Sequence, residues 1–226
     1  KIYKLVRNND LKKKLLKIRK IFSDSVFYNK KALIKFSQKQ INDDIELIKE
    51  ASNFMHKHKN KLLTKSGDIV FQINDLINYY KKKKSINQKI IDELLIFRIE
   101  IENFGLGLGR THLRLNANQL NNAISKEIDL KGDPNDPSNK RTYLNIVSKM
   151  IDKVRTVKIN FGSIYEENMN ARRYFMLTKQ ILKYIDEEQP IRFLIAECDY
   201  SLTVMTALYF SKLFGVEEKI DISPLF

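Results

Sequence analysis

Three basic side chains at alternate positions, Arg110, His112 and Arg114, are the residues of this sequence best suited to chemistry by type and spacing. They lie in Leu106-Gly107-Leu108-Gly109-Arg110-Thr111-His112-Leu113-Arg114-Leu115, whose period of two reads as a strand over 107–115 with all three groups on one face. A guanidinium stays protonated and offers planar paired donors, which suits the phosphate or carboxylate of an anionic substrate. Arg114 falls at the C-terminal end of the strand, where α/β enzymes gather their active-site groups, and is expected to contact substrate. Arg110 and His112 lie deeper and are expected beside the site, in buried ion pairs.

Other constellations are weaker. Gly105, Gly107 and Gly109 do not make a dinucleotide fingerprint, which needs strand, then glycines, then helix; here the order is helix, glycines, strand. His56 and His58 cannot face one way on a helix and have no further ligand nearby, so they read as surface histidines. Asp133 and Asn135 lack the rest of a calcium loop and read as a plain connection. Cys198 has no histidine base near it and is expected as a small buried thiol. Glu197 and Asp199 follow a strand and could approach the mouth of an α/β site.

The elements that must position these groups divide the chain into a helical region, 1–84, and an α/β region, 85–226. Up to about Tyr80 apolar residues recur at three- and four-residue intervals with almost no Gly or Pro, predicting helices at 9–22, 29–60 (broken near Gln38) and 68–82, with Asp68 as N-cap. A helix over 85–104 stops at Gly105. Helices follow at 118–128, 140–154 and 163–187. The clearest local signal is a strand at 191–196, a helix at 201–214 closed by Gly215, and a strand at 219–225. Such a unit joins parallel strands by a right-handed crossover. With the strand at 107–115 it suggests an α/β class, largely helical, as part of a (β/α)8 barrel of TIM type with long helical insertions, an open α/β sheet being the alternative.

The formal net charge of +14 and pI near 9.6 raise the question of nucleic acid. Lysines are, however, interspersed with Glu and Asp along helices, and abundant Lys, Asn and Ile look like compositional bias, so a basic nucleic-acid-binding domain is the minority expectation. Lys81-Lys82-Lys83-Lys84 reads as a solvated helix end. No secretory apolar block or apolar run of membrane-spanning length occurs, and one cysteine excludes an internal disulfide framework, so a cytoplasmic setting is expected. Lys1 is not a methionine, and an apolar strand at Phe226 is an odd place to finish; both ends read as cut.

Phe104-Gly105-Leu106-Gly107-Leu108-Gly109-Arg110-Thr111-His112-Leu113-Arg114 resembles the phosphoenolpyruvate carboxylase stretch Phe-Gly-x-x-Leu-x-x-x-Asp-x-Arg-Gln. Ile90-Ile91-Asp92-Glu93-Leu94-Leu95 before it and Ala123-Ile124 after it keep the same register. Leu194-Ile195-Ala196 with Ser201-Leu202-Thr203-Val204-Met205 resembles that family's strand and Ser-Asp-Val-Leu helix start, and Ile222-Ser223-Pro224-Leu225-Phe226 is similar to its Val-x-Pro-Leu-Phe-Glu-Thr signature. The resemblance covers about 85–226. It implies a carbon–carbon lyase that carboxylates phosphoenolpyruvate with bicarbonate to oxaloacetate and phosphate. It further implies Mg²⁺ or Mn²⁺ on ligands outside these residues, a homotetramer, and Arg114 at the substrate phosphate. His112 stands for the family's Asp, Leu115 for its Gln and Thr203 for a second Asp. These departures motivate a second expectation, a catalytically silent relative acting as an interaction or regulatory scaffold.

Overall fold

The structure, a computed structural model, describes residues 1–38, 44–83, 87–107, 109–133 and 136–226. Residues 39–43 of the helix expected over 29–60, with Lys84, Ser85, Ile86, Leu108, Pro134 and Asn135, on which expectations above also fell, lie outside the described residues. The chain divides into two compact units.

The first unit, Lys1–Gly109 with Leu182–Glu188, is built on α1 (Ile2–Leu5), α2 (Asn9–Phe36), α3 (Ile45–Lys57), a 3-10 turn (Lys59–Lys61), α4 (Ser66–Lys81) and α5 (Gln88–Phe104). Leu11, Ile18, Ile69, Ile73, Ile90 and Leu94 form its core, at the helical spacing the sequence shows. α2 runs unbroken through 23–28, where two helices were expected. The polar residue that interrupts the apolar pattern, Ser25, is buried, and its hydroxyl accepts a hydrogen bond from Leu63 N at 2.9 Å. α4 starts at Ser66 rather than behind an Asp68 cap. The Glu188 carboxylate accepts from Ser66 Oγ and from Gly67 N, the latter at 3.0 Å, and so satisfies the first turn of the helix from far along the chain. α5 ends at Gly105, whose φ of 65° is the left-handed turn that favours glycine.

The second unit, Arg110–Ile181 with Gln189–Phe226, carries β1 (His112–Asn116), α6 (Ala117–Ser125), α7 (Pro137–Lys153), α8 (Phe161–Glu166), most of α9 (Asn170–Tyr184), β2 (Ile191–Ala196), α10 (Ser201–Leu213), a 3-10 turn (Glu217–Lys219) and β3 (Ile220–Pro224). The helix expected over 163–187 is two, α8 and α9. Glu167 leaves helical geometry, and its carboxylate takes up Met169 N at 2.9 Å, a local bond that competes with continuing the helix. The strand expected over 107–115 is shorter and later, and Arg110 precedes it.

The three strands are parallel in the order β1-β2-β3. This corrects the barrel expectation. Among the described residues the sheet has three strands and two unpaired edges and is not closed. Closure of a TIM-type barrel takes about eight tilted strands, with the last pairing the first, whereas most of this chain is committed to helices. The fold is largely helical with a small open parallel sheet. One face of the sheet is apolar: Leu115, Ile191, Phe193 and Ile195 are buried there, and Phe193 stacks on Phe175 of α9 with ring centroids 4.6 Å apart.

Behind α10, Gly215 turns the chain at φ 61°. A Cβ there would stand 2.7 Å from Thr156 Cγ2 and 3.3 Å from Lys179 Nζ. Thr156 lies on a segment pinned to α10 by Val157 N donating to Leu213 O at 2.9 Å and by its own Oγ1 donating to Lys212 O at 3.3 Å, so its methyl gives way only at the expense of that bond. Gly215→Ala is expected to lower stability by about 1–3 kcal/mol through steric and backbone strain together. The measurement is the urea midpoint. Adding Thr156→Ser should recover the steric share and leave the backbone share.

Candidate anion site on the open sheet face

The face of the sheet opposite Phe193 follows from strand register. Cα partners in a parallel pair send side chains to the same side, so His112, Arg192 and Asp221 form one row across the sheet, and Arg114, Leu194 and Ser223 form the next. His112, Arg114 and Asp221 are exposed, while Arg192, Leu194 and Ser223 are half-buried. Parallel sheets usually have both faces covered. Here the outer strands leave one face open to solvent, and that face is lined by charge.

The sequence reading placed Arg110, His112 and Arg114 on one side of a strand. The structure brings His112 and Arg114 together on the open face of β1. Arg110, just before the strand, turns to Asp221 of β3, with Nη1 to Oδ2 at 4.0 Å. Both partners are about half exposed, 53% and 48%, so this pair adds little stability; it does occupy the acid in the neighbouring row. Arg110 and His112 are thus surface groups, not the buried ion pairs expected. The Arg114 guanidinium makes no hydrogen bond or ion pair among the described residues, and its register neighbours Leu194 and Ser223 carry no charge. A free guanidinium offers planar paired donors suited to an oxyanion.

Beyond Arg114 the strand runs into α6 at Asn116. Its side chain caps the helix through Asn118 N at 2.8 Å, while Gln119 Oε1 accepts from Asn116 N at 3.0 Å. The Asn-x-x-Gln spacing of Asn116 and Gln119 was a signal in the sequence that would have set this boundary. Asn116 Nδ2 also donates to Glu197 Oε2 at 2.6 Å, tying together the ends of β1 and β2. Glu197 sits at φ 56°, strained for a residue with a Cβ. Arg192 was missed because β2 reads as a continuous apolar run; the one charge at an alternate position was the available clue.

Glu197 and Asp199 are exposed, and Cys198 between them is buried, with burial pushing its thiol pKa up, away from the reactive thiolate. Among the described residues no group of three or more His, Cys, Asp or Glu side chains could hold a metal ion. The resemblance places the ligands of its Mg²⁺ or Mn²⁺ outside these residues, and no chemical step is derived through either ion. In the first unit His56 is exposed, whereas His58 is half-buried and stacks on Tyr28 at 4.4 Å, an aromatic packing role. Lys83, in the lysine cluster, lies over the Tyr79 ring at 4.5 Å.

A second polar constellation in the same unit has a structural character. Arg172 Nε donates to Glu167 at 2.8 Å and Nη1 to Glu127 at 2.7 Å, while Tyr209 OH donates to the other oxygen of Glu127 at 2.9 Å. The guanidinium also lies 5.6 and 5.7 Å from the Phe210 and Phe214 ring centroids. Each of these four residues is held by another, as in a structural network.

Leu115 and Thr203, two of the departures from the family pattern, are core residues. Leu115 is buried on the covered side of the sheet, and Thr203, fully buried, donates to Asn121 Oδ1 at 3.2 Å. His112 is the departure that shares a face with Arg114. No described helix is long and apolar enough to cross a membrane. No protein-family model, no curated protein and no solved structure matches this chain.

Proposed function

We propose that the open sheet face binds the phosphate of phosphoenolpyruvate at Arg114, in the service of a carboxylation by bicarbonate that yields oxaloacetate and phosphate. The observation that carries this reading is the unpaired, exposed guanidinium of Arg114 near the C-terminal end of a parallel strand. The residues around it, from Phe104 to Arg114, supply the resemblance to phosphoenolpyruvate carboxylase. In that reaction the phosphoryl group leaves the enol oxygen for bicarbonate, and the enolate is then carboxylated. A fixed cation beside the phosphoryl oxygens stabilises the charge they carry during transfer.

The departures at Leu115 and Thr203 alter packing away from this face, which leaves the proposed phosphate contact intact. A second reading, a catalytically silent scaffold, draws on His112, which puts an imidazole beside Arg114 where the resembled family has a carboxylate. The two readings separate by assay: oxaloacetate formation from phosphoenolpyruvate, bicarbonate and Mg²⁺ supports the enzyme, and phosphoenolpyruvate binding without turnover supports the scaffold. Titration of the chain with phosphoenolpyruvate should show Arg114→Ala binding about 10- to 100-fold more weakly, the loss expected for a charged hydrogen-bond partner. Unchanged affinity in a folded variant removes Arg114 from the site.

A further inference from the structure

Arg192 is the third guanidinium of the open face, and its surroundings differ from those of the other two. It stands on β2 between His112 and Asp221 in register, and diagonally across from Arg114 on the neighbouring strand. Diagonal positions on adjacent strands are about 7–8 Å apart, within reach of long side chains. Its Nε is buried and, among the described residues, has no hydrogen-bond partner, and no ion pair holds its guanidinium there. Arg98, Gln180 and Thr206 also have an unpartnered buried atom, but they belong to helices and not to this face, and the Arg98 guanidinium is held by Glu102 and Asn74. A buried charged donor with no acceptor is unfavourable unless something completes it.

The acid nearest in register, Asp221, does not form an ion pair with Arg192; it pairs with Arg110. Arg110, Arg114 and Arg192 against Asp221 and, at the strand ends, Glu197 leave the face with surplus positive charge, and two unpaired guanidiniums side by side repel each other in the absence of an anion. An oxyanion between them removes both defects. Each planar fork presents paired N–H donors, so together they can hold the oxygens of one tetrahedral group from two sides.

We propose that Arg192 and Arg114 form a two-guanidinium clamp for a single phosphate group, either of a phosphomonoester or free in solution. The clamp rests on the reading of Arg114 as an anion ligand and adds the residue that completes it. Arg192 is therefore a binding residue, not a structural one. Removing its charge should leave the ligand-free chain at least as stable as before, because an unpaired buried donor is lost.

The test titrates the chain with inorganic phosphate and, separately, with phosphoenolpyruvate, at low salt, by calorimetry and by the rise in melting temperature that ligand binding produces. The variants are Arg192→Leu, Arg192→Lys and Arg114→Ala, each checked by circular dichroism. Arg192→Leu is expected to weaken phosphate binding on the order of 10-fold or more, with no loss of melting temperature in the absence of ligand. Arg192→Lys keeps the charge but loses the fork and should fall between; it also carries the test should the leucine variant fail to fold. Weakening by both Arg114→Ala and Arg192→Leu supports the clamp. Tighter binding of phosphoenolpyruvate than of phosphate then identifies a phosphomonoester ligand, and equal binding identifies free phosphate. Weakening by Arg114→Ala alone overturns the clamp and leaves the Arg114 reading standing. Weakening by Arg192→Leu alone overturns both the clamp and the Arg114 site, as does a chain that binds neither probe.

Discussion

Truncating Phe193 to alanine is expected to destabilise the second unit by about 3–5 kcal/mol, the cost of removing a fully buried aromatic ring. Phe193 is 0% exposed at the centre of β2 and stacks on Phe175, which in turn meets Phe210 at 5.9 Å. A smaller side chain leaves a void between sheet and helices that rigid elements on both sides cannot close. The chain contains no tryptophan, so the urea midpoint is best followed by far-ultraviolet circular dichroism. A Phe175/Phe193 double-mutant cycle should add a coupling of about 0.5–1.5 kcal/mol for the stacked pair. Additive losses would mean that the rings contribute through buried area alone. Arg192 flanks Phe193 on the same strand, so loss of the covered face should also loosen the open one.

Arg172→Ala is expected to cost about 2–4 kcal/mol, because it leaves Glu127 and Glu167 without their counter-charge in a site where their side chains are 29% and 15% exposed. Arg172→Met, which keeps the aliphatic packing, should lose nearly as much if charge dominates and much less if packing does. The same network predicts a pH dependence with two limbs. Burial opposes ionisation of Glu167, but the N–H groups of Met169 and Asn168 and the Arg172 guanidinium outweigh it and hold the carboxyl below its usual range. A lowered pKa means that the folded state favours the charged form. Its stabilisation is present above the ordinary carboxylate range and is lost as pH falls through the folded value.

Tyr209 behaves in the opposite sense. Burial, and then its hydrogen bond to Glu127 and the charge of that carboxylate, push its pKa up to about 12. The neutral hydroxyl is favoured in the fold, so this contribution is complete below pH of about 10 and is lost between about 10 and about 12. Tyr209→Phe should flatten the alkaline limb of the stability profile and leave the acid limb in place. An unchanged alkaline limb would assign it to another group.

Much of the fold is legible from spacing. Ile69, Ile73 and Leu76 on α4, or Ile90, Ile91 and Leu94 on α5, recur at helical intervals and are all buried. Ile191 to Ala196 reads as a strand because six residues bounded by Pro190 and Glu197 are too short and too apolar for a surface helix. The break between α8 and α9 was hidden because the Glu167 side chain makes its own turn, and periodicity is blind to a local hydrogen bond. At the site, Arg114 was visible from its place in an alternating strand. Arg192 was obscured by the apolar run around it.

By itself the sequence determined most of the helical and strand segments (though not that α2 is continuous or that α8 and α9 are separate), that β2, α10 and β3 form a parallel unit, and that His112 and Arg114 share a face. Each of these depends on neighbours a few residues away. Tertiary structure alone decided that the sheet stops at three strands instead of closing, that Glu188 caps α4 from more than a hundred residues downstream, and that Asp221 takes Arg110 and leaves Arg192 without a carboxylate. Those outcomes depend on which strand edges and charges meet across the fold, and residue spacing along one segment carries no record of them.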